Sequence, residues 1–168
     1  MTVEQAITTA IEYEKGVRDH YAKAVAKAEH KAATTLFKLM ADEEQHHVDY
    51  LEHKLREWTS KGRVTVEGLR TALPSPGTIA TSVAGLKDLG TERASGAEIE
   101  YLERALAVET ETSAFYRRMV GELPGDAKTL FARFLEIEDG HLAVVQAQID
   151  YLSGTGYWFD VREFDLEG

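Results

Sequence analysis

Apolar residues recur every three or four positions along four long stretches of this chain, the spacing of a helix with one buried face. The first stretch runs from about Val3 to Ala28 and is carried by Ile7, Ile11, Val17, Tyr21 and Val25. The second covers about Ala32 to Thr59, through Leu36, Met40, Leu51, Leu55 and Trp58. The third starts behind Ser95, whose hydroxyl and Glu98 make a capping-box pattern, and its stripe is Ile99, Leu102, Leu106, Tyr116 and Val120. The fourth follows the turn Leu123-Pro124-Gly125 and carries Leu130, Phe134, Val145 and Leu152. Between the second and third stretches, residues 60–95 hold Gly62, Gly68, Pro74, Pro76, Gly77, Gly85 and Gly90, which are breaker signals. Short helical pieces are expected there around Val66–Ala72 and Ile79–Asp88. So long a connection needs a structural job. In a four-helix bundle that job is to carry the chain from one end to the other, so that the second and third helices run parallel. The expected fold is therefore all-α, a four-helix bundle over residues 1–152 with a long crossover at about 60–95. The remaining SGTGYWFDVREFDLEG, residues 153–168, forms an aromatic tail. Tyr157, Trp158, Phe159 and Phe164 are expected to fold back onto the bundle or onto a partner subunit, because solvent would leave them as an apolar patch.

Composition narrows the function classes. A chain of 168 residues is long enough for one domain with a real core, and 43% hydrophobic with 29% charged residues is ordinary for a soluble globular protein. A net charge of −10 argues against a nucleic-acid partner, which calls for clustered Lys and Arg. The chain has no cysteine, which removes disulfides, thiolate chemistry, zinc ribbons and iron–sulfur or rubredoxin-type sites held by this chain. No signal-peptide pattern opens it and no apolar run approaches the ~18 residues of a membrane span, so a cytoplasmic address and no membrane partner are expected.

The chemistry lies in a repeat. Within ADEEQHHVDYL, residues 41–51, two overlapping Glu-x-x-His readings compete, Glu43 with His46 and Glu44 with His47. LFKLMADEEQHH, starting at Leu36, aligns without a gap on LFARFLEIEDGH, starting at Leu130, an offset of 94 residues. Glu44 then falls on Glu138 and His47 on His141, whereas Glu43 falls on Ile137 and His46 on Gly140. AIEYEKGVRDHY, starting at Ala10, aligns on ALAVETETSAFY, starting at Ala105, an offset of 95. That places Glu14 on Glu109 and Tyr21 on Tyr116. The two offsets differ by one residue, so a whole helical hairpin is repeated.

Each of the repeated acids lies in an apolar stripe. Glu14 belongs with Ile11 and Val17, while Glu12, two residues away, is about 200° round the helix. Glu109 belongs with Leu102, Leu106 and Tyr116; Glu44 and His47 sit between Met40 and Leu51, and Glu138 and His141 between Phe134 and Val145. In an antiparallel hairpin, residues equidistant from the turn share a level. The point midway between Glu109 and Glu138 falls at the Leu123-Pro124 turn, and the point midway between Glu14 and Glu44 falls on Glu29, where symmetry places the first turn. Four glutamates facing an apolar interior are costly unless something pairs with them. One Glu-x-x-His is weak evidence, since chance supplies about 0.7 such pairs in a chain with 20 Glu and 6 His. Two on inward faces, each level with a further inward Glu, make a candidate metal site of Glu14, Glu44, His47, Glu109, Glu138 and His141. Four carboxylates balance two divalent ions, and oxygen-rich donors with histidine and no sulfur suit iron or manganese, with zinc also able to bind. Glu43 and His46 stand outside this set, and Glu43→Ala is expected to leave the site nearly intact. His20, His30, His46 and His53 are expected at the surface or beside the site, His46 as a possible proton-relay neighbour.

In these residues the chain resembles the ferritin-like di-iron carboxylate proteins, in which two helices each give a Glu and two others each give Glu-x-x-His. The likeness covers about residues 3–152 and fills all six ligand positions. It implies that Glu44 and Glu138 bridge two iron ions, that Glu14 and Glu109 are terminal ligands, and that His47 and His141 give one nitrogen to each metal. Tyr21 and Tyr116 match aromatic positions beside the family's site, where a hydroxyl can bond to a ligand; they are the candidate catalytic residues, with core packing as the competing explanation. The layout is most similar to rubrerythrin-type proteins without a rubredoxin domain, so electrons would come from an external donor. Rubrerythrins carry a further glutamate three residues after the third-helix ligand; that position is Thr112 here, and the six-residue set is closer to that of bacterioferritin. Cage-forming ferritins end in a short fifth helix, which this aromatic tail does not match. The expected function is a di-iron oxidoreductase acting on Fe(II) with dioxygen or hydrogen peroxide, in a homodimer. The rivals are an iron-binding or iron-delivery protein without turnover, and a structural bundle whose site is empty or holds zinc.

Overall fold

In a computed structural model, residues 1–85 and 92–161 are described, and they are all-helical. Five helices occur among them: α1 (Val3–Lys27), α2 (Lys31–Lys61), α3 (Pro76–Ala84), α4 (Gly96–Glu122) and α5 (Gly125–Thr155). The expected breaks hold. The first turn occupies residues 28–30, where symmetry put it, and Leu123 and Pro124 separate α4 from α5. Ser95 caps α4 through the capping box with Glu98, and Thr2 with Gln5 does the same for α1. The helices α2 and α5 end on Gly62 and Gly156, whose φ values of 66° and 78° are open to glycine without strain. The fourth long helix thus continues through Thr155, past its expected end at Leu152.

The start of α2 shows how distant residues replace a missing local cap. His30 stands at its N-cap and offers no side-chain hydrogen bond there. Instead the Glu92 carboxylate accepts from the N–H groups of Lys31 (3.2 Å) and Ala32 (2.7 Å), and Glu98 Oε1 accepts from those of Glu29 (2.8 Å) and His30 (2.9 Å). Free helical N–H groups and the helix dipole both favour carboxylates at that end.

The connection after α2 departs from expectation. Residues around Val66–Ala72 form no helix: Gly68 takes a φ of 85°, outside the helical region, and α2 side chains bond to residues at both ends of the segment. Tyr50 donates to Thr65 O (3.3 Å), Lys54 donates to Thr65 Oγ1 (2.8 Å), and Glu43 accepts from the Thr71 hydroxyl (2.6 Å) and the Ala72 N–H (3.0 Å). The second expected piece exists as α3, capped by Ser75 with Pro76 in its first turn, and it packs on α5. Residues 86–88 of that piece, and Gly90, lie outside the described residues.

Helix α1 packs along α2, α4 along α5, and α1 against α4. The buried side chains form two apolar clusters. One gathers Ile7, Ala10, Leu51, Phe115, Met119, Phe131 and Phe134. The other gathers Val17, Ala24, Phe37, Met40, Leu102, Val144 and Leu152. Of the stripe positions, Val25, Trp58, Leu106 and Val120 are only partly buried, and two places differ more from the sequence pattern. Ile99 is 39% exposed while its neighbour Glu98 is buried, and Lys54 is buried where Leu55 is only partly so.

The tail folds back onto its own chain as far as it is described. Trp158 is buried edge-on to Phe37, its Nε1–H donates to Glu98 Oε2 (3.3 Å), and its backbone N–H donates to Glu92 O (3.0 Å). Phe159 is buried, and the Gln148 amide, turned to suit its surroundings, donates to Phe159 O (3.3 Å) and accepts from Phe159 N–H (3.2 Å). Phe164 lies outside the described residues. Among the described residues no helix is long and apolar enough to cross a membrane.

Candidate metal centre

On every long helix the two apolar clusters are separated by one polar level. On α1, Glu14 stands between Ile11 of one cluster and Val17 of the other; on α2, Glu44 and His47 stand between Met40 and Leu51. On α4, Glu109 stands between Ala105 and Phe115; on α5, Glu138 and His141 stand between Ile137 and Val144. All six side chains are at most 1% exposed. Glu44, His47, Glu138 and His141 each place one donor atom within 4.8 Å of all the others, a buried group that can hold a metal ion.

The distances distinguish two kinds of carboxylate. Glu44 approaches both imidazoles, with Oε2 3.3 Å from His47 Nδ1 and Oε1 2.8 Å from His141 Nδ1. Glu138 does the same through Oε1, at 3.6 Å from His47 Nδ1 and 3.8 Å from His141 Nδ1. Glu14 approaches His47 (3.1 Å) and Glu109 approaches His141 (3.8 Å), and neither comes within 4.0 Å of the other imidazole. The two rings lie parallel, 5.3 Å apart and inclined by 5°.

Tyr21 and Tyr116 complete the level. Each reaches from its own hairpin to the outer glutamate of the other: Tyr21 Oη donates to Glu109 Oε1 (2.7 Å), and Tyr116 Oη donates to Glu14 Oε1. Burial, followed by the charge of that glutamate, pushes both phenols well above their ordinary value, so they stay protonated as donors.

The donor set fits a metal. Glu44 Oε1 and Oε2, Glu138 Oε1 and Oε2, Glu109 Oε2, His47 Nε2 and both nitrogens of His141 are buried without a hydrogen-bond partner. Orphaned buried polar atoms are rare in folded proteins, and the carboxylate oxygens gathered about His141 Nδ1 call for a shared partner. The short approach of His141 Nδ1 to Glu44 Oε1 lacks hydrogen-bond alignment, as expected of atoms converging on a common centre rather than on each other.

Protonation tells the same story. Burial, then the charge of Glu44, pushes Glu14 up to about 8 against the pull of His47. Burial, then the charge of Glu14, pushes Glu138 well above the carboxylate range. Burial alone would also raise Glu44, but His141 and His47 hold it well below. Burial would lower the imidazoles, yet bonds to Glu14 and Glu44 carry His47 up to about 9, and Glu44 and Glu138 carry His141 well above 6.5. The metal-free cluster takes up protons to offset its carboxylates, and cations would displace them.

Glu43 is the residue that the sequence reading set aside and the structure brings back. It is buried, 3.9 Å from His141 Nε2 through Oε2. Burial raises its affinity for protons, but His141, Thr71 and the Ala72 N–H hold it at about 2, so it is ionised. Alignment of the two halves hid it, since its counterpart is Ile137; its position on α2 next to Glu44 was the available signal. His46, the expected proton-relay neighbour, is exposed on α2 and takes no part in the cluster. His30 is tied to the capping network instead, 2.9 Å from Glu98 Oε2, and Thr112 is buried with its hydroxyl bonded to Val108 O (2.9 Å). No protein-family model matches this chain, and no curated protein matches it significantly.

Proposed function

We propose that this protein is a di-iron oxidoreductase of the ferritin-like kind, oxidising Fe(II) with dioxygen or hydrogen peroxide. The observation that carries the reading is the pairing pattern: Glu44 and Glu138 each approach both imidazoles, Glu14 and Glu109 one each. That pattern supports Glu44 and Glu138 as bridging carboxylates, and Glu14 with His47 and Glu109 with His141 as the outer ligands of two positions. Four carboxylates with two neutral imidazoles leave four negative charges, which two divalent cations balance. Oxygen and nitrogen donors without sulfur favour iron or manganese and admit zinc. A bound iron pair would supply two electrons, one from each ion, which with two protons would take hydrogen peroxide to two waters or dioxygen to hydrogen peroxide. Tyr21 and Tyr116 hold the outer carboxylates in place by donating to their second oxygens, and the apolar clusters on both sides keep bulk water from the level. With no cysteine in the chain, electrons returning to the site come from an external donor.

The same reading includes the architecture. Val17 to Ala24, Ala33 to Met40, Leu102 with Ala105, and Val144 to Leu152 share one apolar cluster, which supports a bundle of α1, α2, α4 and α5. In it α2 and α4 run parallel, and the stretch at about 60–95 is the crossover. Pairing of two copies rests on the family likeness, because Trp158 and Phe159 are already covered within the chain.

The test is anaerobic loading with ferrous iron followed by stopped-flow mixing with oxygen or peroxide. Two ions per chain and fast oxidation by one oxidant are expected; fewer than two ions, or no fast oxidation with either, overturns the enzyme reading. The alternative, an iron-binding or delivery protein, would bind two ions without fast oxidation.

A further inference from the structure

We propose that Glu43 is a positioning residue for His141, tying one of the two metal positions to the connection after α2 and making the two positions unequal. The inference rests on the two-metal reading above and goes beyond its six ligands.

The hairpin repeat gives every ligand a counterpart, but it does not give one to Glu43. At the corresponding place on α5 stands Ile137, buried in the apolar cluster. His141 is consequently addressed from both sides of its ring. Its Nδ1 faces Glu44, Glu109 and Glu138, and its Nε2 faces the Glu43 carboxylate at 3.9 Å. Neither Nε2 makes a hydrogen bond, but His47 has a carboxylate on one side only: among the described residues its carboxylate neighbours all lie at Nδ1, and none comes within 4.0 Å of its Nε2.

Glu43 is itself held. Oε2 accepts from the Thr71 hydroxyl at 2.6 Å, Oε1 accepts from the Ala72 N–H at 3.0 Å, and Thr71 Oγ1 accepts in turn from the Leu73 N–H at 3.1 Å. The connection thus fixes the carboxylate, and the carboxylate stands 3.9 Å from the far nitrogen of an imidazole on α5, longer than a hydrogen bond but nearer to that nitrogen than any other carboxylate among the described residues. A carboxylate at the far nitrogen of a ligating imidazole selects the tautomer, orients the ring and raises its basicity; losing it typically costs about 10–100-fold in metal affinity. That effect reaches only the position served by His141 and Glu109. This proposal stands against the expectation from the repeat, that Glu43 is dispensable.

The experiment is anaerobic calorimetric titration of the full chain with cobalt(II), read together with the paramagnetically shifted imidazole N–H proton signals. The proteins compared are the wild type, Glu43→Gln and Thr71→Val. The wild type is expected to take two ions with unequal affinities and to show two exchangeable imidazole signals. In Glu43→Gln one affinity should fall about 10–100-fold and the other by less than about threefold, with one signal shifted or lost to faster solvent exchange. Thr71→Val, which leaves the carboxylate present but loosens it, should give a smaller change at the same position; it also serves if Glu43→Gln does not fold. Unchanged affinities and signals in both variants, or equal weakening of both positions, would overturn the proposal and leave the two-metal reading standing. A wild type that binds fewer than two ions would overturn both.

Discussion

Tyr21 and Tyr116 cross between the two halves of the molecule, and each donates to a carboxylate that apolar side chains otherwise surround. Tyr116→Phe keeps the ring stacked on Phe134 but strips Glu14 of its donor, leaving a buried oxygen unpaired. The metal-free protein should lose about 1–3 kcal/mol of stability, measured by urea unfolding in the presence of a chelator. A loss of the same size in metal-saturated protein would show that the hydroxyl supports packing rather than the outer ligand. Residue register can be checked separately: Glu44→Ala should abolish paired binding of divalent ions in a calorimetric titration, while His46→Ala, at an exposed position, should leave two ions bound. Equal losses in the two variants would contradict the choice of Glu44 and His47 over the overlapping pair.

At the scale of elements, the ends matter more than the helical spans. Glu98 begins as a local capping residue and ends as a hub. Its carboxylate accepts from the backbone of Ser95, Glu29 and His30 and from the side chains of His30 and Trp158, joining the first turn, α4 and the tail. Glu98→Ala leaves these donors without an acceptor at a buried position, so a loss of about 2–4 kcal/mol is expected by chemical denaturation. With Trp58 replaced by Phe, the intrinsic fluorescence of Trp158 should report the tail loosening at lower denaturant than the helices. The capping box at Ser95 was legible because its partners are three residues apart. The hub was not, because its other donors come from residues about 60 to 70 positions away, and the apolar stripe placed Ile99 inward instead. The same limit explains residues 66–72. Their local pattern suits a helix, but Glu43, Lys54 and Tyr50 on α2 supply competing partners that only packing brings near.

Across the whole molecule, a charged level lies between two apolar clusters, and its protonation is tied to folding. Glu14, Glu138, His47 and His141 all bind protons more tightly when folded. The stability each contributes is complete below its unfolded pKa, 4.5 for Glu and 6.5 for His, and is lost as pH rises through the folded value, about 8 for Glu14 and about 9 for His47. Glu44 has the opposite sign, but its contribution is lost only as pH falls below 4.5. The melting temperature of chelator-treated protein should therefore fall by several degrees between about pH 6.5 and about pH 9.5. Saturation with manganese(II) or zinc(II) should remove or reverse that trend, since ligands must be deprotonated to bind. A melting temperature that stays level or rises over this range in metal-free protein would show that the cluster does not hold these protons.

Spacing along the chain was enough to place the four long helices, their turns, the six inward acids and imidazoles, and the two tyrosines facing them. These are consequences of periodicity and of a repeat, and both are carried along the chain at fixed spacing. Packing alone shows which carboxylates meet one imidazole and which meet two, that each tyrosine serves the opposite hairpin, that Glu98 gathers three segments, and that Glu43 is buried near His141. Those relations join side chains on different helices through distances of a few ångströms, and no spacing within a single helix encodes them. Glu43 marks the boundary most clearly: repetition excluded it because its counterpart is Ile137, and packing returned it because the connection after α2 passes over that part of the helix and holds its carboxylate in place.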